Sequence, residues 1–231
     1  MSRTVVIGAT RKQLLPAKVC EHSIRRHATC DIRIVHTYDR SFPSQPGLGA
    51  TNRTGFSFVR FAVPELADYR GRALYFDSDM LVYRDVAWLL GMPMQEAAVL
   101  RPENQSAVLL YDCERLRHWR LDDTMAALKA GTLDYGDLME LRHEPLARVG
   151  IPEEWNRLES WVKDRTAVLH YTQMNVQPWT SRHNPLAYRW FSALRDAVAA
   201  GAVRPEEIEE EARLGHVGRW VVEEAGRRAH A

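Results

Sequence analysis

The sequence predicts an α/β fold in which a mainly parallel sheet is covered by helices on both faces. Short apolar runs alternate with segments of helical spacing along the first third of the chain, as strands joined by helical crossovers do. The 231 residues, 45% of them hydrophobic, are enough for one sizeable core. No internal repeat or linker is visible. We therefore expect one domain over residues 1–200, with a C-terminal helical extension, residues 201–231, packed on it.

The first third of the chain contains the clearest elements. The expected strands are residues 4–9, 31–38 and 73–76, and the expected helices are residues 14–27 and a short one within 56–66. The strands are apolar or alternating runs, whereas the longer helix repeats apolar side chains at helical spacing. Residues 41–55 are rich in proline, glycine and serine, and the length of this loop indicates a functional loop rather than a simple connection.

The same kinds of segment continue through the rest of the chain. The expected strands are residues 97–101, 107–111 and 166–171, and residues 114–130 are expected to be helical. After Pro205 the chain is charged and helical in pattern. We expect this tail to pack on the domain through its apolar side chains, Ile208, Leu214, Val217, Trp220 and Val221.

Charge and cysteine content narrow the classes of function. The formal net charge is +1, so no global field would attract nucleic acid or an acidic membrane surface. Three widely spaced cysteines without a Cys-x-x-Cys pair make neither a disulfide framework nor a zinc site, which favours a reducing, cytoplasmic compartment. No apolar run has the length of a membrane span or a signal peptide. Few lysines among many arginines and alanines indicate a GC-rich bacterial genome.

Two aspartates follow the third expected strand in the segment RALYFDSDMLVYRD, residues 72–85. Ligands of parallel α/β sheets bind beyond the carboxyl ends of strands, which is where Asp77 and Asp79 lie. Two carboxylates this close repel each other unless a charge neutralises them, and hard cations such as Mn²⁺ or Mg²⁺ suit carboxylate oxygens. Asp-Ser-Asp is also good turn chemistry and often caps a helix. The apolar residues on both sides favour a metal, because they leave little room for solvated charges.

His170 ends another expected strand and is a candidate third ligand. A single histidine at a strand end is more often structural, but here a polar and aromatic loop follows it. Two carboxylates and one imidazole would leave positions on a cation open for a diphosphate, which is how a metal carries a nucleotide.

The segment RALYFDSDMLVYRDVAWLL resembles the Asp-x-Asp segment of retaining glycosyltransferases of family 8, the glycogenin and galactosyltransferase type. Four further segments resemble landmarks of that family in the same order, and FSFVRFAVPEL, which contains Arg60, is similar to another. The four are VVIGATRKQLLPAKVCEHSI, NQSAVLLYDCERLRHW, IPEEWN and HYTQMNVQPW. The resemblance covers roughly residues 4–190.

The resemblance implies a GT-A fold, a nucleoside diphosphate sugar donor, with UDP-sugar favoured, and a divalent cation, usually Mn²⁺. It implies retention of anomeric configuration on transfer of a hexose to a glycan or small-molecule acceptor that the sequence does not identify. Asp77, Asp79 and His170 would bind the metal. The donor would contact Ala9, Thr10, Gln13, Arg60, Ser78 and Gln177, in addition to the two metal-binding aspartates. The catalytic residues would be Gln105, Asp134 and Asp137, which would face the sugar.

The chain departs from the family pattern at several of these positions, so we expect a divergent member. Thr10 and Gln13 stand where the family has an acidic residue and a tyrosine that stacks on uracil. Gln177 stands where the family has a lysine that contacts the diphosphate. Asp134 and Asp137, in LDYGDLME, are only the nearest match to the Asp-Gln-Asp that faces the sugar.

Two other interpretations stay open. A phosphatase of the haloacid dehalogenase type also has Asp-x-Asp after an apolar strand, but its pair lies near the N-terminus and is followed by threonine or valine where this chain has Leu81. A non-catalytic binding protein on the glycosyltransferase fold would account for Gln13 and Gln177. Trp155 and Trp179 are candidates for stacking on a sugar, although for Trp155 we favour the core.

Overall fold

The computed structural model describes residues 3–39, 57–103 and 105–227, which form a central six-stranded sheet, a small three-stranded sheet and flanking helices. The strands are β1 Arg3–Gly8, β2 Arg33–His36, β3 Arg72–Asp77, β4 Met80–Val82, β5 Val99–Arg101, β6 Val108–Asp112, β7 Ala147–Val149, β8 Arg157–Leu158 and β9 Val168–His170. The α-helices are α1 Leu14–His27, α2 Val63–Leu66, α3 Ala87–Leu90, α4 Leu121–Ala130, α5 Tyr135–Met139, α6 Ala187–Ala199, α7 Pro205–Arg213 and α8 Trp220–Gly226. The functional loop expected at residues 41–55 lies outside the described residues.

The central sheet has the strand order β2-β1-β3-β6-β5-β7. Strands β2 and β3 pair with β1 in parallel, and β7 pairs with β5 in parallel. Strand β6 runs antiparallel to both of its neighbours. Five of the six strands therefore run in one direction, and the predicted mainly parallel α/β sheet is confirmed.

The small sheet, in the order β4-β9-β8, determines where the candidate site forms. Strand β4 begins one residue after Asp79 and pairs antiparallel with β9, so that Met80 lies opposite His170. The backbone N–H of Tyr171 donates to the carbonyl of Asp79 at 2.9 Å. This pairing brings together two segments that are about ninety residues apart in the sequence.

Three groups of buried apolar residues form the core. Two of them cover the faces of the central sheet, through residues such as Val5, Ile7 and Phe76 in one and Val6, Tyr75 and Leu109 in the other. The alternation along β1 and β3 explains this division, because successive side chains of a strand point to opposite faces. The third group packs α1 and the small sheet against α6, α7 and α8.

The C-terminal helices pack as expected at most positions. Ile208, Val217 and Val221 are buried, whereas Leu214, which was expected to pack, is 43% exposed because it follows the last turn of α7. Helix α6 has no counterpart among the expected elements, although its buried residues follow helical spacing at Trp190, Leu194 and Ala197.

The expected helix at residues 114–130 is interrupted. The chain forms a 3₁₀ turn at Cys113–Leu116 and resumes as α4 only at Leu121. The two tryptophans that were candidates for sugar stacking are buried. Trp155 stacks on Trp88 with ring centroids 5.6 Å apart, and Trp179 packs on Trp190 at 5.2 Å. Burial accounts for both as core residues.

The three cysteines, Cys20, Cys30 and Cys113, are unpaired. Within the described part of the chain, every helix is too short or too polar to cross a membrane.

An ion pair between α1 and α7 gives the stability a predictable pH dependence. Lys18 Nζ lies 2.5 Å from Glu207 Oε1. Burial opposes the shift, but hydrogen bonds from Lys18 and Arg204 lower the pKa of Glu207 from 4.5 to about 2. A lowered folded-state pKa stabilises the fold above pH 4.5, and this stabilisation is lost as the pH falls towards about 2. Glu207→Gln should therefore lower the urea midpoint at pH 7, and by less at pH 3.

The matched control is Glu206→Gln, at an exposed position on the same helix. It should leave the urea midpoint nearly unchanged at both pH values. Equal shifts for the two variants, or a Glu207→Gln shift that does not depend on pH, would contradict this prediction.

Candidate metal and substrate site

Asp77 and Asp79 lie at the point where the chain leaves the central sheet for the small one. Asp77 is the last residue of β3, and Met80 is the first of β4. The backbone N–H of Ser78 donates to the carbonyl of Gly8 at 3.1 Å, which fixes this turn against the end of β1. Each aspartate is only 8% exposed. The sequence thus places two carboxylates in a short turn between two buried strands.

Asp77, Asp79 and His170 converge on one point. One ligand atom from each lies within 4.8 Å of the others, and all three side chains are buried. His170 Nε2 is 3.2 Å from Asp79 Oδ1, yet no described residue makes a well-directed hydrogen bond to that oxygen. A buried carboxylate oxygen without such a bond is costly unless a cation occupies the site. The two carboxylates and one imidazole fit a hard or borderline divalent cation such as Mn²⁺ or Mg²⁺.

The carboxylate of Asp77 is held by two groups on its own side of the sheet. The Tyr75 hydroxyl donates to Asp77 Oδ1 at 2.6 Å, and Arg60 Nη2 lies 3.5 Å from the same oxygen. Arg60 is itself fixed, because its Nη1 donates to the carbonyl and the hydroxyl of Ser106 at 2.8 and 2.5 Å. Asp77 is therefore oriented before any ligand binds.

The other two candidate ligands are each held by a buried amide. Gln177 Nε2 donates to Asp79 Oδ2 at 2.9 Å. His170 Nδ1 lies 2.9 Å from Asn156 Oδ1, and this oxygen can only accept. A ring proton therefore belongs on Nδ1. Nε2 then carries the lone pair that could bind a cation when the ring is neutral, and a second proton that faces Asp79 when the ring is protonated. Outer partners of this kind fix the tautomer and orientation of metal-binding histidines.

Asp77 and Asp79 place two carboxylates at a site that is largely shielded from water, and this changes the pKa values there. Burial raises the pKa of Asp77; Arg60 opposes the effect and the Asp79 carboxylate adds to it. Burial lowers the pKa of His170, but the carboxylates of Asp79, Asp77 and Glu159 together outweigh burial, so this pKa is raised. The site therefore favours positive charge at its centre.

The three residues lie on the wall of a cavity of about 540 Å³, a usual size for a small-molecule site. Its other lining residues are Ser57, Arg60, Arg101, Glu103, Gln105, Ser106, Ala107, Tyr135, Met139, Glu140, Thr172 and Met174. Both charge signs and several hydroxyl and amide groups face this space, so it can form hydrogen bonds with a polar ligand.

Some of the predicted donor contacts lie beside this cavity rather than in it. Ala9 and Thr10 follow β1, whose last residue, Gly8, pairs with Asp77 across the sheet. The Ala9 N–H donates to Thr37 Oγ1 at 2.8 Å, and Gln13 Oε1 accepts from the Thr10 N–H at 3.0 Å. None of these three predicted residues lines the cavity. Gln13 therefore serves here to close the turn that leads into α1.

The predicted sugar-facing residues separate into two groups. Gln105 is exposed on the cavity wall. Asp134 and Asp137 do not line the cavity: Asp134 accepts from the Asp137 N–H as the N-cap of α5, and Asp137 pairs with Arg142 at 2.9 Å. The acidic group that the α5 region presents to the cavity is Glu140 instead.

Several site residues were not predicted. Tyr75 had a local signal, because it lies two residues before Asp77 and so shares its strand face. Asn156 belonged to a segment already noted for its family resemblance. Arg101 and Glu140 had no local signal, since they reach the cavity only through the packing of β5 and α5.

Comparisons with known proteins address the fold. No family model matches the chain. It is 25% identical to Protein CDI of Arabidopsis thaliana, over 76% of this chain and 78% of that protein. It superposes on the galactosyltransferase LgtC, in complex with donor and acceptor sugar analogues, with a TM-score of 0.63 and 15% identity, covering 90% of this chain and 99% of LgtC. It superposes on the glycosyltransferase GlyE of Streptococcus pneumoniae TIGR4 with a TM-score of 0.62 and 14% identity.

The chain has the GT-A fold. The match to GlyE covers 87% of this chain but only 64% of GlyE, so the chain spans less than two thirds of that relative. At 14–15% identity these structural matches establish the architecture alone. In this architecture the turn that contains Asp77 and Asp79 follows β3.

Gly8 provides a test of how tightly the Asp77 side of the site is packed. A Cβ atom at this position would lie 2.2 Å from the Tyr75 hydroxyl, and the Tyr75 ring is fully buried and cannot swing aside. Gly8→Ala should therefore lower the free energy of unfolding by about 1–3 kcal/mol, as overpacking usually does. Urea unfolding monitored by circular dichroism measures the change.

The control is Gly226→Ala in α8, where an added Cβ meets nothing within 4 Å. Alanine in a helix should leave stability equal or slightly higher there. If Gly8→Ala proved as stable as the native chain, the tight packing of Gly8 on Tyr75 would be wrong.

Proposed function

We propose that this chain is a metal-dependent glycosyltransferase. It transfers a hexose, with retention of anomeric configuration, from a nucleoside diphosphate sugar to a glycan or small-molecule acceptor. One observation carries the proposal: Asp77, Asp79 and His170 converge at the wall of a polar cavity. The proposed donor is a UDP-sugar, and the proposed cation is Mn²⁺, with Mg²⁺ as the alternative.

The residue types support a cation that is shared with a diphosphate. Asp77, Asp79 and His170 would hold it, and three protein ligands leave further positions for phosphate oxygens. When bound, such a cation stabilises the charge that develops on the leaving diphosphate. The chain's own part is to orient the ligands through Tyr75, Gln177 and Asn156 without reorganisation during the reaction.

The cavity beside the metal-binding residues suits a sugar. Its walls combine hydrogen-bonding groups such as Gln105 and Ser106 with the apolar surfaces of Met139 and Met174. We assign Gln105 to a contact with the donor sugar. Glu140 takes the sugar-facing role first expected of Asp134 and Asp137, because it faces the cavity and they do not.

The known structures support the same assignment. LgtC, which matches along 99% of its length, was solved with donor and acceptor sugar analogues bound. The phosphatase interpretation loses its main support, because the Asp-x-Asp pair of this chain lies within a GT-A sheet. Gln13 and Gln177, which motivated the non-catalytic interpretation, each have a structural partner in the folded chain. That interpretation remains the alternative, and turnover separates it from the transferase.

Thermal shifts with UDP, GDP, CDP, dTDP and ADP, each with and without Mn²⁺, test the proposal. A ligand at 100 times its dissociation constant stabilises a fold by about 2.7 kcal/mol. For a chain of this size that corresponds to a melting shift of about 5–11 °C. The proposal expects a shift with UDP that requires Mn²⁺. Absence of a shift with every diphosphate would contradict it.

Turnover separates the enzyme from a binding protein on the same fold. With Mn²⁺ and a UDP-hexose, a retaining transferase should release UDP slowly by transfer to water, and proton NMR should show the free sugar first as the α-anomer from an α-linked donor. Binding of UDP-hexose without release of UDP would favour the non-catalytic alternative.

Asp79→Ala should abolish the Mn²⁺-dependent melting shift with UDP. It removes one ligand atom and relieves the repulsion between two carboxylates, but it also removes the acceptor of the buried Gln177 hydrogen bond. These two effects oppose each other, so the metal-free variant should still fold and melt close to the native temperature. The matched control, Asp123→Ala at an exposed position of α4, should keep the full UDP and Mn²⁺ shift. An unchanged shift in Asp79→Ala would show that the metal site lies elsewhere.

A further inference from the structure

We propose that Gln177 is a positioning residue for the metal site and that the C-terminal helices hold it in place. In this role Gln177 fixes one oxygen of Asp79, so that the other oxygen and His170 Nε2 remain directed at a divalent cation. The inference rests on the proposed metal-dependent function and extends it to residues that do not touch the metal.

The orientation of the Gln177 amide follows from its partners. Its terminal nitrogen lies 2.9 Å from Asp79 Oδ2 and 2.8 Å from the carbonyl oxygen of Tyr171. Both partners are acceptors, so the group that faces them must be the NH₂ and not the amide oxygen. Its two protons are thus both used, and Gln177 is only 5% exposed. The side chain bridges the turn after β3 and the end of β9.

The hydrogen bond from Gln177 makes the two oxygens of the Asp79 carboxylate different from each other. Oδ2 is hydrogen-bonded to Gln177, whereas Oδ1 has no well-directed hydrogen bond from the described residues and lies 3.2 Å from His170 Nε2. Rotation of the carboxylate would break the Gln177 bond and leave a buried donor unpaired, which is unfavourable. Asp79 is therefore held with one oxygen available to a cation.

The turn that carries Gln177 is fastened from its other side by the C-terminal segment. The backbone N–H of Gly218 donates to the Trp179 carbonyl at 2.8 Å, and Trp220 Nε1 donates to the Pro178 carbonyl at 3.3 Å. A Cβ at Gly218 would lie 2.0 Å from the Trp220 ring, so only glycine allows this arrangement. Gly218, just before α8, and Trp220, the first residue of α8, thereby hold Pro178 and Trp179, the two residues that follow Gln177.

A neutral amide suits this position better than a cation would. An ammonium group could also donate to Asp79 and to the Tyr171 carbonyl, but its charge would repel a divalent cation bound at the neighbouring oxygen. Gln177 provides the donors without that charge. A purely structural role would satisfy the same buried acceptors, yet it would leave metal affinity unchanged, and this difference can be measured.

The test is a titration of the full chain with Mn²⁺ alone, followed by calorimetry and by electron paramagnetic resonance. Gln177→Met keeps the length of the side chain but removes both donors. It should weaken Mn²⁺ binding by about tenfold, as loss of such a partner typically does. Higher Mn²⁺ should restore full occupancy, and the spectrum of bound Mn²⁺ should change because Asp79 reorients.

The matched control is Gln173→Met, an exposed glutamine four residues earlier, which should bind Mn²⁺ like the native chain. If Gln177→Met does not fold, Gln177→Asn carries the test, because it keeps a polar amide but is one methylene too short to reach both acceptors. Native Mn²⁺ affinity in a folded Gln177 variant would overturn the inference and leave the proposed function intact. A native chain that binds no Mn²⁺ would overturn both.

Gly218→Ala tests the part assigned to the C-terminal helices. The added methyl group must displace the Trp220 ring and so break its bond to Pro178. We expect a loss of Mn²⁺ affinity smaller than that of Gln177→Met but above threefold. Unchanged affinity in the folded variant would show that α8 does not support the site.

Discussion

The mutual repulsion of Asp77 and Asp79 is the constraint on which the rest of the site depends. Two carboxylates that are each 8% exposed, with one residue between them, repel each other unless positive charge lies nearby. The chain supplies Arg60 beside Asp77 and His170 beside Asp79. One ligand atom each of Asp77, Asp79 and His170 lies within 4.8 Å of the others, and a divalent cation held by these three atoms would offset the repulsion between the carboxylates.

The fold maintains this arrangement through elements on every side of the turn. Strand β3 is held between β1 and β6, β4 is paired with β9, and the segment after β9 is fastened by the C-terminal helices. Each candidate ligand has a partner of its own: Tyr75 for Asp77, Gln177 for Asp79 and Asn156 for His170. The surrounding strands and helices thus hold the three candidate ligands in fixed orientations. Such preorganisation is what stabilisation of a developing charge requires.

Local pattern was enough to predict the sheet class and the two aspartates, because hydrophobic runs and the end of a strand are visible in adjacent residues. The role of Gln177 could not be found in this way. Its contact with Asp79 spans 98 positions and depends on how β9 pairs with β4. Asp134 and Asp137 lie outside the cavity lining, where a helix cap and an ion pair hold their side chains, and their role at the sugar stays a prediction. Leu214 continues the apolar helical pattern of the C-terminal segment, but α7 ends at Arg213 and the Leu214 side chain is left partly exposed.

Crystals of the protein grown with MnCl₂ and UDP, measured at an X-ray energy where manganese scatters anomalously, show directly whether Asp77, Asp79 and His170 bind the ion. We expect an anomalous peak in contact with Asp77, Asp79 and His170, with the UDP diphosphate in contact with the same ion. An anomalous peak elsewhere, or UDP bound with no manganese between the two aspartates, would contradict it.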